Sequence, residues 1–429
     1  MPNLYRALVD IPHRLQRLTA GAYRPEIDGL RFFAIAIVLL GHLASRVEKF
    51  LGRSSPPSRA EAGIFSFLTH PGAGVLLFFG ISGFILAVQF LRQDRAPLSG
   101  PFLSRYFRRR VLRIEPPYLL LLLGTYALIR VTGFQPPETA RFAGPPASLA
   151  DSLLASLGYV HVLLYENTPR LFGPGWSLEV EVQFYIFAPL CFFAYFRTRD
   201  AARRAMIGAV ALAASIAVAL LAPADAGPVH LGRSLLVFFP YFWVGILMAD
   251  FQDPIRAFAA NRRHWSWLGW AGLVGLCIVG PLQDMPEWRG LMLGVRLVSV
   301  AAIFAAVFSA EHTPFRRFCS LPWISLIGGA CYSLYLTHLQ VMQVMSAVMF
   351  RFFQPDSWLV GLGAALLVQI PVVLVVGLGF YALVERTFMI PNWPSVAMAG
   401  LRRRFGLPAR SPLAPATVVK GAAAAGERR

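Results

Sequence analysis

Apolar residues gather into ten stretches, separated by short runs rich in arginine, proline and glycine. They are Leu30–Ser45, Gly72–Leu91, Val111–Val131, Gly175–Phe196, Ala205–Leu221, Leu235–Asp250, Ser266–Gly280, Leu291–Ser309, Ile324–Met349 and Trp358–Val384. Most approach the roughly 20 residues that an α-helix needs to cross the hydrocarbon core of a bilayer. Ser148–Tyr165 has a shorter apolar core, of a length that does not span, and is expected to be interfacial or re-entrant. The pattern predicts an all-α polytopic integral membrane protein of about ten transmembrane helices.

Composition sharpens this picture. Of 429 residues, 56% are hydrophobic and 14% charged, and the mean hydropathy is +0.56. A net charge of +18 would suit nucleic-acid binding, but the basic residues lie between apolar stretches, where membrane topology puts them. Lysine and arginine number 27 in the N-terminal segment, alternate loops and C-terminal tail, against 9 in the other loops, which predicts that both termini are cytoplasmic. Residues 1–27 read as a cytoplasmic segment without a signal peptide, 28–390 as the transmembrane domain and 391–429 as a basic, disordered tail. The four cysteines have no CxxC spacing, so neither a disulfide framework nor a metal site is expected. The outer loop Thr132–Pro174, rich in proline, glycine and alanine, suits either a cover over an outward-facing site or a linker.

Ionisable residues inside spans mark candidate chemistry, because burying them in lipid is costly. Arg31 and His42 are eleven residues apart, about 20° past three full helical turns, and so share one face about 16 Å apart along the axis. A neutral imidazole near mid-membrane can accept a proton from an alcohol. Glu179 and Glu181 are two residues apart and cannot both face one site. Glu181 is expected near the depth of His42, where a carboxylate–imidazole pair could form. Arg110 and Arg113 share a helical face, and paired guanidinium groups suit phosphate. His338 either shares a cavity with His42 or packs. Gly80–Gly83 and Gly328–Ala330 are expected to permit close helix approach.

Together these residues resemble the membrane-bound acyltransferase-3 family. RPEIDGLRFFAIAIVLLGH is similar to its opening Arg-x10-His motif at Arg31 and His42, and FFGISGFIL to its second-span signature. RRRVLRIEPPY resembles its Arg-x-x-Arg element at Arg110 and Arg113. WSLEVEVQFY resembles its Trp-Ser-Leu-x-x-Glu-x-x-Phe-Tyr element and carries the family glutamate onto Glu181. YSLYLTH and LVER complete the order at His338 and Glu385, so the likeness covers roughly residues 23–390. Glu179, where a smaller or uncharged residue is usual, and Thr387, where proline is common, depart from the pattern.

The resemblance implies transfer of an acyl group, most simply acetyl from acetyl-CoA, to a hydroxyl of a surface or secreted carbohydrate at the bacterial inner membrane. His42, Arg31 and Glu181 would be catalytic, and Arg110 and Arg113 would hold the acyl donor. His338, Trp176, Tyr185 and Ser82 would line the pocket. No permanently bound cofactor is implied; the partners are acyl-CoA, the carbohydrate, the bilayer and polysaccharide-assembly proteins. Many relatives carry a fused esterase-like domain outside the membrane, for which this chain is too short. The alternative is a translocator of a glycan or acyl chain, which would add no acyl mass to its substrate; a third reading is a structural scaffold tolerant of substitution at Arg31, His42 and Glu181.

Overall fold

The computed structural model describes residues 10–12, 14–16, 23–51, 59–92, 98–133, 148–165, 167–223, 225–226, 229–260, 262–278 and 286–389. The expectations for the tail and most of the N-terminal segment fall outside the described residues.

Ten helices of 13 to 33 residues occupy the places of the ten apolar stretches. In chain order the helices are α1 (Pro25–Phe50), α2 (Arg59–Leu68), α3 (Gly72–Leu91), α4 (Gly100–Thr132), α5 (Leu149–Leu157), α6 (His161–Leu164), α7 (Gly175–Phe196), α8 (Ala201–Leu221) and α9 (Leu235–Asp250). There follow α10 (Gln252–Ala259), α11 (Ser266–Ile278), α12 (Arg289–Val307), α13 (Pro314–Cys319), α14 (Pro322–Gly329), α15 (Cys331–Phe352) and α16 (Trp358–Phe380). A π-helical turn, Tyr381–Glu385, runs on into α17 (Arg386–Phe388). Among the described residues, seven stretches qualify as spans by length and apolarity, or eight if α9 and α10, bent by 67°, count as one. Two of the ten expected spans fall short by these measures. α11 has 13 described residues, and α15 carries Ser333, Thr337, His338, Gln343 and Ser346 on its buried side. The chain is an all-α, multi-pass membrane protein.

Burial separates the central helices from the lipid-facing ones. The apolar windows of α1 and α3 are 67% buried, those of α4, α8 and α16 only 22–28%. α1 starts on Pro25 with Glu26 and Asp28 in its first turn, which fixes φ and complements the helix dipole. It then packs against α3, α13, α14, α15 and α16. The close approaches rest on glycine, as the small-residue runs predict. A Cβ on Gly83 would overlap the Phe242 carbonyl of α9, and one on Gly328 the Asp28 carbonyl of α1.

Two expectations are refined. The third span belongs to a 33-residue helix that begins at Gly100, so Arg105–Arg113 form one rigid ramp into the bundle, and it stops at Gly133 with φ 66°. Ser148–Tyr165 forms two short helices, α5 and α6, joined through Tyr159 at φ 55°, and neither is long enough to span.

Candidate active site

α1, α3, α4, α7 and α15 surround an inner cavity of about 700 Å³, into which Arg31, Ser82, Arg110, Arg113, Glu181 and Tyr185 all project. Four of these helices, far apart in sequence, thus bring six of the expected site residues to one wall, and α15 adds Cys331, Tyr332 and Tyr335. The cavity runs along α3 from Val75 to Leu86, eleven residues or about 16 Å of helix. At one end a second cavity, of about 510 Å³, shares Leu86 and Arg110 with it and is lined by Arg105 and Arg109. Arg110 therefore stands between an arginine-lined vestibule and the inner chamber.

Each charged side chain here is held. Arg31 Nη1 lies 2.7 Å from Asp28 Oδ1, one turn earlier, and both are buried. Arg110 Nη2 donates to Gln89 Oε1 at 2.6 Å, and its guanidinium carbon lies 5.7 and 5.6 Å from the ring centroids of Tyr106 and Tyr185. Two faces of π density hold a cation in place without neutralising it. The carboxylates of Glu181 and Glu385 act on Arg113, and Glu385 is fixed by the Ser333 hydroxyl at 2.6 Å. Ser82 Oγ donates to Glu181 Oε1 at 2.7 Å, and the Tyr185 hydroxyl donates to the same oxygen.

The expected carboxylate–imidazole pair is corrected by this geometry. Glu181 belongs to Ser82 and Tyr185, whereas His42 Nδ1 lies 2.9 Å from His338 Nε2. Neither imidazole is on the inner-cavity wall. His42 lies farther along α1 than Arg31, and Tyr335, which lines the chamber, lies against His338 with ring centroids 5.9 Å apart. Trp176 is likewise off that wall, stacked against Phe238 and under the Arg233 guanidinium.

The hydrogen bonds fix the tautomers. His338 Nδ1 faces only carbonyl oxygens, of Tyr335 at 2.7 Å and Leu334 at 3.1 Å. A carbonyl cannot donate, so Nδ1 carries the hydrogen, and in the neutral ring Nε2 is an acceptor. His42 must then donate from Nδ1, which leaves its Nε2 with a lone pair. A histidine so oriented is arranged to take a proton.

Glu179 points the other way. Fully buried, it accepts from the Val162 backbone N–H at 2.9 Å and fastens α6 to α7, a structural role that suits its departure from the family pattern. Nearby, Ser152 Oγ lies 3.0 Å from His161 Nε2 and accepts from the Arg170 N–H at 3.1 Å, which organises the described part of the long loop. Burial pushes the His161 imidazole down to about 4, with nearby Arg170 adding to the effect against an opposing backbone hydrogen bond.

Sequence reasoning missed Gln89, Tyr106, Asp28 and Tyr335. Gln89 is the lone amide in α3, where Ser82 is the one other polar side chain, and that isolation is a usable signal. Asp28, three residues before Arg31, also had helical pairing distance.

A family model described as an acyltransferase domain matches residues 24–384, so the chain belongs to the acyltransferase-3 family. It is 24% identical to the O-acetyltransferase OatA of Staphylococcus aureus strain NCTC 8325, over 76% of this chain and 51% of the relative. To the peptidoglycan O-acetyltransferase OatA of Listeria monocytogenes it is 25% identical, over 78% of this chain and 52% of the relative. To the acyltransferase MdmB of Streptomyces mycarofaciens it is 29% identical, over 42% of this chain and 40% of the relative. The chain spans about half the length of the OatA relatives it matches. No solved structure matches it.

Proposed function

We propose that the protein is a membrane O-acyltransferase that moves an acyl group, acetyl in the simplest case, from acyl-CoA to a hydroxyl of a surface or secreted carbohydrate. The names of the OatA relatives favour acetyl and a cell-wall glycan. The single observation that carries the reading is the tautomer chain Tyr335 O to His338 to His42, which ends in a free imidazole nitrogen on the family's Arg-x10-His helix. By the positive-inside rule the arginine-lined vestibule opens to the cytoplasm, where acyl-CoA is made, and the host membrane is the bacterial inner membrane.

The donor enters past Arg105 and Arg109. Arg110 and Arg113 take its phosphate groups, and the acyl-bearing arm extends along α1 towards His42, about 16 Å beyond Arg31. The acceptor hydroxyl gives its proton to His42 Nε2 as its oxygen attacks the thioester carbonyl. The carbon–sulfur bond then breaks, and the imidazolium returns the proton to the departing thiolate. Arg31, steadied by Asp28, offers positive charge along the donor's path, and Glu181, with one oxygen occupied by Ser82 and Tyr185, orients a polar substrate group.

Membranes bearing the protein are incubated with radiolabelled acetyl-CoA and extracted glycan, and the product is weighed by mass spectrometry. Acyl mass on the carbohydrate, lost in His42→Ala at equal protein level, is the expected result. Transfer that persists in His42→Ala, or a carbohydrate that gains no acyl mass, rejects the reading.

A further inference from the structure

A third cavity, of about 820 Å³ and partly open to solvent, lies on the other side of α3 from the vestibule. Leu86, Gln89 and Phe90 face the vestibule, whereas Val88, Leu91 and Arg92 line this cavity together with Arg24, Gln252, Asp253 and Arg256. Three guanidinium groups line it against the Asp253 carboxylate, with Glu26 behind Arg24, which leaves its wall net positive.

Simple topological anchoring would let these arginines extend into water. Two of them do not. The Arg24 guanidinium lies 5.6 Å from the Phe84 ring centroid, with Nε 3.3 Å from Glu26 and Nη1 3.3 Å from Gln252. Its Nη2 is buried without an acceptor among the described residues. Arg256 stacks at 5.4 Å over Phe308, and Arg24 and Arg316 press on it with like charge. Asp253, three residues earlier, and Glu26 act in the opposite sense. Crowded cations with an unused donor, the Nη2 of Arg24, are the complement of a multivalent anion.

We propose that this cavity binds a phosphate-bearing ligand, held by Arg24, Arg92 and Arg256, at a site separate from the Arg110–Arg113 chamber. The same chemistry is offered by the head group of an anionic phospholipid and by the phosphates of a soluble nucleotide, and the test separates them. It needs no turnover, so its outcome does not depend on the acyltransferase reading.

Full-length protein is stripped of lipid in detergent. Phosphatidylglycerol or phosphatidylcholine is added and counted by native mass spectrometry, and adenosine 3′,5′-bisphosphate is titrated separately by calorimetry. The expected result is saturable binding of phosphatidylglycerol over phosphatidylcholine, or of the bisphosphate. That binding should weaken at least tenfold in Arg92→Gln/Arg256→Gln, return in the corresponding lysine pair and persist in Arg110→Gln/Arg113→Gln. Arg92 is exposed, so Arg92→Gln alone, with an expected loss of about threefold, serves if the double variant does not fold. Absence of binding by both probes, affinity unchanged in the glutamine variants, or loss confined to Arg110→Gln/Arg113→Gln overturns the proposal.

Discussion

His42 and His338, 296 residues apart in the chain, meet with Nδ1 and Nε2 2.9 Å apart. The contact assigns the two rings different work. His338 is locked by its own helix backbone and holds His42, and His42 alone has a nitrogen free for substrate. His42→Ala should lower acyl transfer by about 10²–10⁴-fold, the range of a general base. His338→Ala should lower kcat by less and leave KM for the acyl donor unchanged, because the base remains but its orientation is lost. His338→Gln, whose amide oxygen can accept from His42 Nδ1, should recover part of that loss. Steady-state kinetics on purified variants check the split.

Gln89 gives Arg110 its only hydrogen-bond acceptor among the described residues, while two tyrosine rings hold the cation in place. A hydrogen bond to a charged group contributes about 1.5–3 kcal/mol, and Gln89→Leu should free the guanidinium to swing between the two cavities. The expected effect is a rise in KM for the acyl donor of roughly tenfold or more, with kcat close to wild type. If kcat falls while KM stays constant, Arg110 acts on the reacting atoms rather than on donor binding.

Helix order and span positions were legible because the apolar stretches and charge clusters impose them; α11 was at the margin because its described helix has only 13 residues, and α15 because its buried side is polar. The arginine ramp and the Arg31–His42 face followed from helical geometry. What helical geometry could not supply was partnership across helices. Residue counting puts Glu181 and His42 at similar depths, but rotation about α7 aims the carboxylate at Ser82 and Tyr185, and α15 fills the place beside His42 with a second histidine. Depth can be counted along one chain segment, whereas the azimuth of a neighbour depends on packing. Trp176 illustrates the same limit: it lies one residue before cavity-lining Ser177, and that 100° turn sends it to Phe238.

The glycine contacts predict a contrast between chemically identical substitutions. Gly245→Ala would put a methyl group into the Gly80 carbonyl of α3, and Gly328→Ala would do the same at Asp28. Backbone on both sides leaves nowhere to relax, so each should cost about 1–3 kcal/mol and lower the midpoint of thermal unfolding in detergent. Gly363→Ala and Gly379→Ala meet no neighbouring atom within 4 Å and should be neutral or slightly stabilising, since alanine favours the helix. Fluorescence-detected size-exclusion chromatography after heating reads all four. Equal losses would mean that glycine serves helix flexibility instead of close packing.

His161 makes the outer segment sensitive to acid. Its folded pKa, about 4, lies below the roughly 6.5 of an exposed histidine, so the unfolded chain binds the proton first as pH falls. The stability it contributes is complete above about pH 6.5 and drains away as pH drops towards 4, by about 3 kcal/mol at most at 1.36 kcal/mol per pKa unit. Protonation would also turn Nε2 from an acceptor into a donor, so the Ser152 hydroxyl, already accepting from the Arg170 N–H, would have to turn its own hydrogen away from the ring. The segment between α5 and α7 should therefore loosen before the helical bundle does. Hydrogen–deuterium exchange at pH 7 and at pH 5, corrected for intrinsic rates, should show residues 148–165 gaining exchange at the lower pH while α1 and α3 stay protected. His161→Gln, which cannot take up the proton, should exchange equally at both. A wild-type segment whose corrected exchange is the same at both pH values would show that Glu179 and the Val162 N–H hold it without help from the imidazole.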